Sequence, residues 1–414
     1  MSNNNKTPAI RFKGFTDTWE QRKLSEICTM HARIGWQNLR TSEFLDSGDY
    51  YLITGTDFED GRINLSTCHY VEKDRFEQDK KIQIKNGSIL ITKDGTLGKV
   101  AFVENLDKPA TLNAGVFNVE IIENDVDNRY LFQYLKAPFL MDYVNSKATG
   151  GTIKHLNQSI LVDFPVQMPE SAEQQKIGAY FSRLDHLITL HQRKYDKLTK
   201  VKKAMLKKMF PQNGANKPEI RFRGFTDGWE HCKLNSIADV RDGTHASPQY
   251  FSSGHPFITS KNVKDGYINY DDVQYISDED YEEINKRSKV DVNDILMGMI
   301  GTIGNLALIR EEPDFAIKNV ALIKDTGDIF YLYLYHYLQS ETVLNQLLEN
   351  MDGGTQKFVA LKRIRELNIA FPIKSEQQAI GTYFHNLDSV ITLHQRKCDK
   401  YKSIKAGLIR KLFP

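Results

Sequence analysis

One segment of the chain occurs twice, and it constrains the fold more than any other feature. The first copy runs from Glu173 to Pro211 and the second from Glu376 to Pro414, with the block ITLHQRK identical in both. In each copy, apolar residues recur at alternating steps of four and three, which is typical of a coiled-coil seam. At about 1.5 Å per residue, each helix would be roughly 55 Å long. Because both copies lie in one chain, we expect the two helices to pack on each other.

The repeat also covers the residues in front of each helix, so the chain is a tandem duplication with a period of about 205 residues. Three motifs recur in the same order: WExxKLxxI (Trp19–Ile27 and Trp229–Ile237), GTxG (Gly95–Gly98 and Gly301–Gly304) and GGTxK (Gly150–Lys154 and Gly353–Lys357). Short β-rich runs separated by DG and NG turns come before one or two helical runs in each half. We therefore predict an α+β protein with globular domains at 1–169 and 212–372, each followed by a long helix (170–211 and 373–414).

Composition and charge exclude several classes of protein. The chain is 40% hydrophobic and 26% charged, with a net charge of +2, which is ordinary for a globular protein. No run approaches the roughly 18 apolar residues of a membrane span, and the first residues lack the pattern of a signal peptide, so we expect a cytoplasmic protein that contacts no membrane. Any surface for nucleic acid must be local, since the overall charge is close to zero.

Motifs for catalysis or metal binding are not recognisable in the sequence. Gly95–Lys99 resembles a phosphate loop, but Lys93 stands where that loop needs glycine, and the second copy lacks the lysine. A tight turn between strands is the better interpretation, because glycine adopts positive φ at such turns. The histidines and cysteines show no zinc spacing, so we predict no catalytic residue and no metal site in this chain.

The two halves differ most just after the WExxKLxxI motif, in Thr29–Ser47 and Asp239–Ser253. Positions that diverge between halves are free to serve two different targets. Arg pairs with guanine, and Asn or Gln with adenine, in the grooves of DNA. We therefore predict that these loops contact DNA, although solvated loops of no special role remain the alternative for any single residue. The candidates are Arg33, Gln37, Asn38 and Arg40 in the first half and Arg241, Thr244 and His245 in the second.

Turns that both halves share suit a task that is done twice in the same way. Basic turns of this kind fit contacts to the DNA backbone, which position a protein without reading sequence. The candidates are Lys93, Thr152, Lys154 and His155 in the first half and Lys261, Asn262 and Lys357 in the second.

Taken together, the ordered motifs resemble the specificity subunit of a type I restriction-modification enzyme over essentially the whole chain. The resemblance rests on the three repeated motifs and on the EQQxIxxYF start of each long helix (Glu173–Phe181 and Glu376–Phe384). It implies two target-recognition domains that read the two halves of a bipartite DNA site. It also implies that the helices pair antiparallel, set the spacer between the half-sites and dock partner subunits.

The resemblance further implies which partners and cofactors to expect. Two modification (methyltransferase) subunits would methylate adenine using S-adenosylmethionine, and two further restriction subunits would cleave double-stranded DNA using ATP and Mg²⁺. Those cofactors would bind the partners, so this chain would be non-catalytic and carry none. The repeated outward residues of the helices are the predicted partner contacts: Gln174, Gln175 and Arg193 in the first helix, and Gln377, Gln378 and Arg396 in the second.

Two alternatives from other classes remain open at this stage. One is a free-standing DNA-binding regulator, and the other is a structural coiled-coil adaptor. Two long, nearly identical helices favour the restriction-modification interpretation, because a regulator has no need of duplicated partner surfaces.

Overall fold

A computed structural model of the chain describes residues 8–147, 155–212, 214–349, 351 and 357–413. The chain folds into two compact units, and each is built from two pieces of sequence. Unit 1 comprises Met1–His191 and Lys397–Pro414, and unit 2 comprises Gln192–Arg396. Each unit therefore holds one globular domain, the first part of the long helix that follows it and the last part of the other long helix.

Unit 1 has an antiparallel sheet in the order β2-β11-β8-β9 and a mixed sheet in the order β6-β3-β10-β7. The described strands of the first domain are β1 (Glu20–Lys23), β2 (Cys28–His31), β3 (Tyr50–Ile53), β4 (Phe58–Glu59), β5 (Arg62–Ile63), β6 (His69–Val71), β7 (Gln83–Ile84), β8 (Ile89–Thr92), β9 (Val100–Phe102), β10 (Ala110–Leu112), β11 (Val116–Ile121) and β12 (Pro165–Met168). Its helices are α1 (Leu24–Ile27), α2 (Lys73–Glu77), α3 (Asn128–Lys136), α4 (Pro138–Ser146) and α5 (Gln158–Leu161), followed by the long helix α6 (Ser171–Lys208).

Unit 2 repeats this plan, with sheets in the orders β14-β20-β17-β18 and β16-β15-β19. The described strands are β13 (Glu230–Lys233), β14 (Asp239–Asp242), β15 (His255–Thr259), β16 (Gln274–Ile276), β17 (Ile295–Gly298), β18 (Leu306–Leu308), β19 (Ala316–Lys318), β20 (Val320–Lys324) and β21 (Asn368–Phe371). The helices are α7 (Asp278–Ser288), α8 (Tyr331–Leu338), α9 (Glu341–Glu349) and α10 (Leu361–Arg365), followed by the long helix α11 (Lys374–Leu412).

Strand β8 shows why the centre of each domain reads as continuous apolar sequence. Successive side chains of a strand point to opposite faces of the sheet. Ile89 and Ile91 enter the core shared with helices α3, α4 and α6, whereas Leu90 enters the core shared with the second sheet. Because both faces of β8 are covered, all four of its residues are buried.

A two-stranded ribbon closes each domain at the point where its long helix begins. Strand β1 pairs antiparallel with β12, and β13 pairs in the same way with β21. The tryptophan motif is thus held beside the start of the helix, which it contacts through Trp19 Nε1 and Glu173 Oε2 at 3.1 Å.

The long helix contacts its own domain at a glycine in both units. A Cβ atom at Gly178 would lie 2.8 Å from the backbone nitrogen of Tyr130, and one at Gly381 would lie 2.8 Å from that of Tyr333. Glycine is therefore required at both positions, because only a residue without a side chain lets helix α3 or α8 approach so closely.

Within each unit the two helix segments pack antiparallel, as predicted for the coiled coil. In unit 1, Phe413 stacks on Phe181, and His191 stacks on Tyr401 with ring centroids 5.7 Å apart. In unit 2, Phe210 stacks on Phe384 with the same interplanar angle of 15° as the Phe181–Phe413 pair. The predicted α+β fold with antiparallel long helices is confirmed, and the predicted domain boundaries stay a prediction.

Candidate nucleic-acid interface

Segments that are far apart in the sequence meet at one corner of the first domain. The GTxG turn follows strand β8, and the segment after GGTxK joins it through a hydrogen bond from Leu156 N to the carbonyl oxygen of Lys93, at 2.8 Å. A Cβ atom at Gly55, which lies in the 3₁₀ turn after β3, would come within 3.3 Å of the Thr92 side chain. We call this junction, residues 54–57, 92–99 and 155–156, the corner of unit 1.

The same junction forms in unit 2 from residues 259–262, 298–305 and 357–359. Val359 N donates to the Met299 carbonyl oxygen at 3.0 Å. Ser260 Oγ accepts from Met299 N at 3.1 Å, and Thr302 Oγ1 donates to the Ser260 carbonyl oxygen at 2.5 Å. We call this junction the corner of unit 2.

The GTxG segment at each corner is a tight turn, as predicted. Gly95 and Gly98 have φ of 72° and 70°, and Gly301 and Gly304 have φ of 72° and 80°, where other residues would be strained. Thr92 Oγ1 donates to the Thr96 carbonyl oxygen and accepts from Lys99 N at 3.0 Å. These bonds turn the threonine hydroxyl and the Lys99 amide inward, so the turn is not a cradle for phosphate.

Of the predicted backbone-contact residues, those that the structure describes lie at or beside the two corners. Lys93 is half-buried, with its ammonium 5.5 Å from the ring centroid of Phe117. His155 is exposed and lies next to it, its Nδ1 atom 2.5 Å from Asp94 Oδ1. Lys357 is exposed at the corner of unit 2. Thr152 and Lys154 lie outside the described residues.

Lys261 and Asn262 in the 3₁₀ turn of unit 2 differ in their exposure to solvent. Lys261 is exposed and forms an ion pair with Asp272 at 2.8 Å. Asn262 is only 3% exposed; it accepts from Thr259 N at 3.0 Å and donates to the Asn269 carbonyl oxygen at 3.1 Å. The prediction that Asn262 contacts DNA is corrected here, because its amide groups hold the turn together inside the fold.

Arg33 is also corrected, since it is 1% exposed and its guanidinium is used within unit 1. Its nitrogens donate to the Leu112 carbonyl oxygen at 2.9 Å and to Thr111 Oγ1 at 3.2 Å, which ties the divergent loop to strand β10. Burial, reinforced by the nearby Arg75 cation, lowers the pKa of Arg33. A guanidinium in this position orders the loop and cannot reach a base edge.

The remaining loop candidates of unit 1 divide by exposure. Gln37 is 6% exposed, so its predicted DNA contact is corrected as well. Asn38 and Arg40 are exposed, and the described hydrogen bonds of Arg40 use only its backbone: its nitrogen donates to Glu43 Oε2 at 2.8 Å, and its carbonyl oxygen accepts from Glu43 N at 2.9 Å. Asn38 and Arg40 are therefore candidate contact residues on the surface of this loop, and the buried Arg33 anchors the loop to its domain.

The divergent loop of unit 2 is tied to its corner through a histidine. His245 is exposed, and its ring nitrogens lie 2.6 Å from Asn319 Oδ1 and 3.0 Å from Asp242 Oδ2. The Asn319 carbonyl oxygen in turn accepts from Ser260 Oγ at 2.6 Å. Thr244 is half-buried, and Arg241 pairs with Asp239 at 2.6 Å. The structure thus brings His245, but not Arg241, to the edge of the corner.

Two predicted partner contacts are also corrected by their burial. Gln174 is 1% exposed; it accepts from Asp127 N at 2.9 Å and donates to the Pro169 carbonyl oxygen at 2.8 Å. Gln377 is 4% exposed and makes the equivalent bonds to Phe330 N, at 2.9 Å, and to Pro372, at 2.8 Å. The first glutamine of each EQQ motif therefore fastens the helix to its own domain.

The other predicted partner residues lie on the outer surface of the helices. Gln175, Gln378, Arg193 and Arg396 are exposed. Arg193 lines a shallow surface groove of unit 2 together with Lys197, Lys200 and Val201. These four residues are available to a partner, and their role stays a prediction.

An ion-pair network that the sequence did not reveal holds each domain to its helix. In unit 1, the Arg11 guanidinium binds both oxygens of the buried Glu173 carboxylate, at 3.0 and 2.6 Å. Arg221 and Glu376 form the same fork in unit 2, at 2.8 and 2.6 Å. The repetition of RF and EQQ in both halves was the signal, but only the structure shows that they meet.

A second pair lies in the helix seam, where lysine occupies an apolar position of the pattern. Lys405 Nζ lies 2.7 and 2.8 Å from the Asp185 carboxylate in unit 1, and Lys202 Nζ lies 2.7 Å from Asp388 in unit 2. Burial, reinforced by the Lys136 cation, lowers the pKa of Lys405 to about 8. Burial opposes ionisation of Asp185 too, but Lys136, Lys405 and the Gln133 amide outweigh it and lower the pKa of that carboxyl.

Within the described ranges, no cluster of three or more His, Cys, Asp or Glu side chains could hold a metal ion. Of the described helices, none is long and apolar enough to cross a membrane. By its duplication the structure defines a class of protein: two α+β domains, each with a loop surface beside a repeated glycine turn and each followed by a long helix.

The comparisons assign this class to a family. The model for the type I restriction modification DNA specificity domain matches residues 16–200 and 226–402, so the chain belongs to that family, and the resemblance found in the sequence is confirmed. The match falls once on each half of the chain.

Individual relatives agree with the family match. The specificity subunit of the type I restriction enzyme MjaVIII from Methanocaldococcus jannaschii is 23% identical over 346 residues, 80% of each chain. The EcoBI specificity subunit from Escherichia coli is 23% identical over 66% of this chain and 61% of its own length. The crystal structure of the type I S subunit from M. genitalium shares the fold, with a TM-score of 0.67 at 15% identity and 99% coverage of both chains.

Proposed function

We propose that this chain determines the DNA sequence on which a type I restriction-modification enzyme acts. Each globular domain reads one half of a bipartite double-stranded DNA site. The long helices fix the number of unread base pairs between the halves and dock two modification subunits. Bound to those subunits, the chain directs adenine methylation, and with two restriction subunits it directs cleavage.

The observation that carries the proposal is one frame built twice with different loop surfaces. The Arg–Glu fork, the helix glycine and the stacked phenylalanines recur in both units, whereas the divergent loops do not. A constant frame with variable loops is what a pair of readers for two unlike half-sites requires. Loops placed on a rigid scaffold commonly carry binding function.

The proposal assigns no chemistry to this chain. S-adenosylmethionine, ATP and Mg²⁺ would bind the modification and restriction subunits, and the chain would act in the cytoplasm with them. Its own residues orient and anchor: Arg33 and His245 hold the loops, and the first glutamine of each EQQ motif holds the helix.

Mapping of methylated adenines in cells that express the chain with its modification subunit tests the proposal. The expected result is one bipartite, asymmetric motif with a fixed spacer. Deleting one heptad from both helices, Leu184–Leu190 with Leu387–Leu393, removes about 10 Å of helix and should shorten the spacer by about three base pairs or abolish methylation. The bases within each half-site should stay the same.

Three results would contradict the proposal. Altered bases inside a half-site after the heptad deletion would mean that the helices take part in reading sequence. A chain that stays monomeric beside the modification subunit, yet binds DNA alone, would favour a free-standing regulator. A chain that binds neither would favour a structural adaptor.

A further inference from the structure

The two corners have the same backbone geometry but differ in the chemistry of several side chains. In both units the segment after GGTxK hydrogen-bonds to the residue that follows the central strand, at 2.8 Å in unit 1 and 3.0 Å in unit 2. At three pairs of equivalent positions, at or beside this junction, the side chain is polar in unit 1 and apolar in unit 2. The equivalent pairs are Asp94 and Ile300, Asn145 and Leu348, and His155 and Phe358.

The corner of unit 2 and the adjoining helix α9 expose apolar side chains that nothing described in the chain covers. Leu344, Leu348 and Phe358 are 44%, 48% and 39% exposed. Phe358 pairs with Ile300 across an isolated β-bridge, and a Cβ atom at Gly304 would lie 3.8 Å from Leu344. Phe358 and Leu344 therefore both lie at the GTxG turn, with Leu348 one helical turn beyond Leu344 and the half-buried Ile300 beneath Phe358 on the core side. Exposed apolar patches mark binding sites.

The corner of unit 1 presents hydrogen-bonding groups at the same place. His155 and Asp94 pair at 2.5 Å, and their side chains are 71% and 41% exposed. Lys99, which directly follows the turn, and Asn145, in helix α4, are exposed as well. A donor and acceptor pair with unused lone pairs and protons can contact the polar edge of a base pair.

The difference between the corners indicates what binds them. Two copies of one partner subunit would meet the same chemistry in both units, as they do on the repeated face of the helices. Two unlike DNA half-sites impose no such identity. The exposed cation Lys357 directly precedes Phe358, and Lys261 lies in the adjoining 3₁₀ turn, so the apolar patch is bordered by groups that suit phosphate.

We propose that the residue after the GGTxK lysine, His155 in unit 1 and Phe358 in unit 2, together with its neighbour Asp94 or Ile300, determines specificity at one position of each half-site. Phe358 and Ile300 contact the C5-methyl group of thymine, the one apolar group on the major-groove edge of a base pair. His155 and Asp94 hydrogen-bond to a base edge instead. This inference rests on the proposed function and adds to it the residues and the chemistry of the contact.

Deoxyuridine scanning of the bound DNA tests the proposal, because deoxyuridine is thymidine without the methyl group. The complex of this chain with its modification subunits is titrated with a series of DNA duplexes that contain the motif found by methylation mapping. In each duplex, deoxyuridine replaces a different thymidine. We expect weaker binding, by about fourfold per contacted methyl, at one or two thymines of a single half-site.

Reciprocal variants then identify the residues that are responsible. Phe358→His with Ile300→Asp should abolish the methyl effect in that half-site, and Phe358→Leu, which stays apolar, should keep it. His155→Phe with Asp94→Ile should create a methyl effect in the other half-site. The single variant Phe358→His gives a second reading if the double variant unfolds, and thermal denaturation reports on folding.

Several outcomes would overturn the proposal. They are a wild-type complex whose binding is unchanged by deoxyuridine at every thymine, a motif in which the half-site read by unit 2 contains no A·T pair, and a double variant that changes the recognition of both half-sites. A double variant that reads the wild-type motif but no longer holds the modification subunit would make the patch a protein-docking surface. A wild-type complex with no sequence preference would overturn the proposed function itself, which separates the two failures.

Discussion

Units 1 and 2 share the contacts that hold helix to domain, but they differ in the side chains at their corners. The Arg11–Glu173 and Arg221–Glu376 pairs both have their shortest contact at 2.6 Å. The corners, by contrast, exchange the His155–Asp94 pair for Phe358 and Ile300. Packing and ion pairing at the helix have the same task in each unit, whereas a surface that meets two different ligands is free to diverge.

The shared frame is itself asymmetric at one buried position. In unit 1 the Gln133 amide donates to Asp185 at 2.8 Å, whereas the equivalent residue of unit 2 is His336. His336 is 1% exposed, and neither ring nitrogen has a hydrogen-bond partner among the described residues. Burial, reinforced by the Lys202 cation, keeps the pKa of His336 well below its usual value, so the ring stays neutral there.

The largest effect on stability should come from removing the phenylalanine that each core receives from the end of the other domain's long helix. Phe413 is 3% exposed and contacts the rings of Tyr134, Phe139 and Phe181 in unit 1. Phe413→Ala should lower the free energy of unfolding of unit 1 by about 3–5 kcal/mol, because a large buried ring is lost. Hydrogen exchange measured by mass spectrometry would show faster exchange in residues 20–168.

Phe210→Ala is the matched variant, since Phe210 is fully buried in the core of unit 2 against Phe384. It should speed exchange in residues 230–371 by a similar factor and leave the first domain protected. If either substitution loosened both domains equally, the assignment of one helix end to each core would be wrong.

Lys405 should have a smaller effect on the free energy of unfolding, and that effect should depend on pH. Its pKa of about 8 in the folded state lies below the ordinary value of 10.5. Between these values the unfolded chain holds a proton that the folded chain has lost, so stability rises with pH across this window. The gain should approach, at most, about 3 kcal/mol, since one pKa unit corresponds to about 1.4 kcal/mol.

Chemical denaturation of wild type and Lys405→Met at pH 7 to 10 measures this effect as a difference. We expect wild type to gain stability relative to the variant as the pH rises above about 8, because methionine does not titrate. A constant difference across the window would mean that Lys405 keeps its proton in the folded chain.

The smallest difference should lie at the two tryptophans. Trp19 Nε1 donates to the Glu173 carboxylate at 3.1 Å, whereas Trp229 Nε1 has no partner among the described residues. Both Trp→Phe substitutions lose similar packing, so Trp19→Phe should cost about 1.5 kcal/mol more, the lower end of the range for a hydrogen bond to a charged group, because this bond is long at 3.1 Å. Thermal or urea denaturation of the two variants would test this, and equal costs would show that the Trp19 bond contributes no net stability.

The sequence predicted the features that depend on periodicity and repetition. The steps of four and three located both long helices, and the recurrence of GTxG predicted a tight turn that Gly95 and Gly98 confirm with positive φ. The order of motifs also identified the family. These predictions succeed because spacing along the chain is a direct consequence of helix and turn geometry.

Predictions that depend on which side chains are exposed were less successful. Arg33, Gln37, Asn262, Gln174 and Gln377 have the chemistry of binding residues, yet each is buried within its own unit. A sequence displays the hydrogen-bonding groups of a residue but not whether a neighbouring carbonyl or amide has already taken them. Internal repetition does not separate the two cases, because a buried anchor is repeated as faithfully as a binding surface.

By itself the sequence determined the duplication, the two long helices and the family, since all three are written in local patterns. The tertiary structure alone decided that each compact unit takes the end of the other unit's helix, and that the GTxG and GGTxK motifs meet at one corner. It also decided that Arg33 is an anchor while Phe358 is a surface. The physical reason is that burial and long-range hydrogen bonding depend on which segments meet in space, and residues about sixty positions apart in the chain carry no local signal that they will do so.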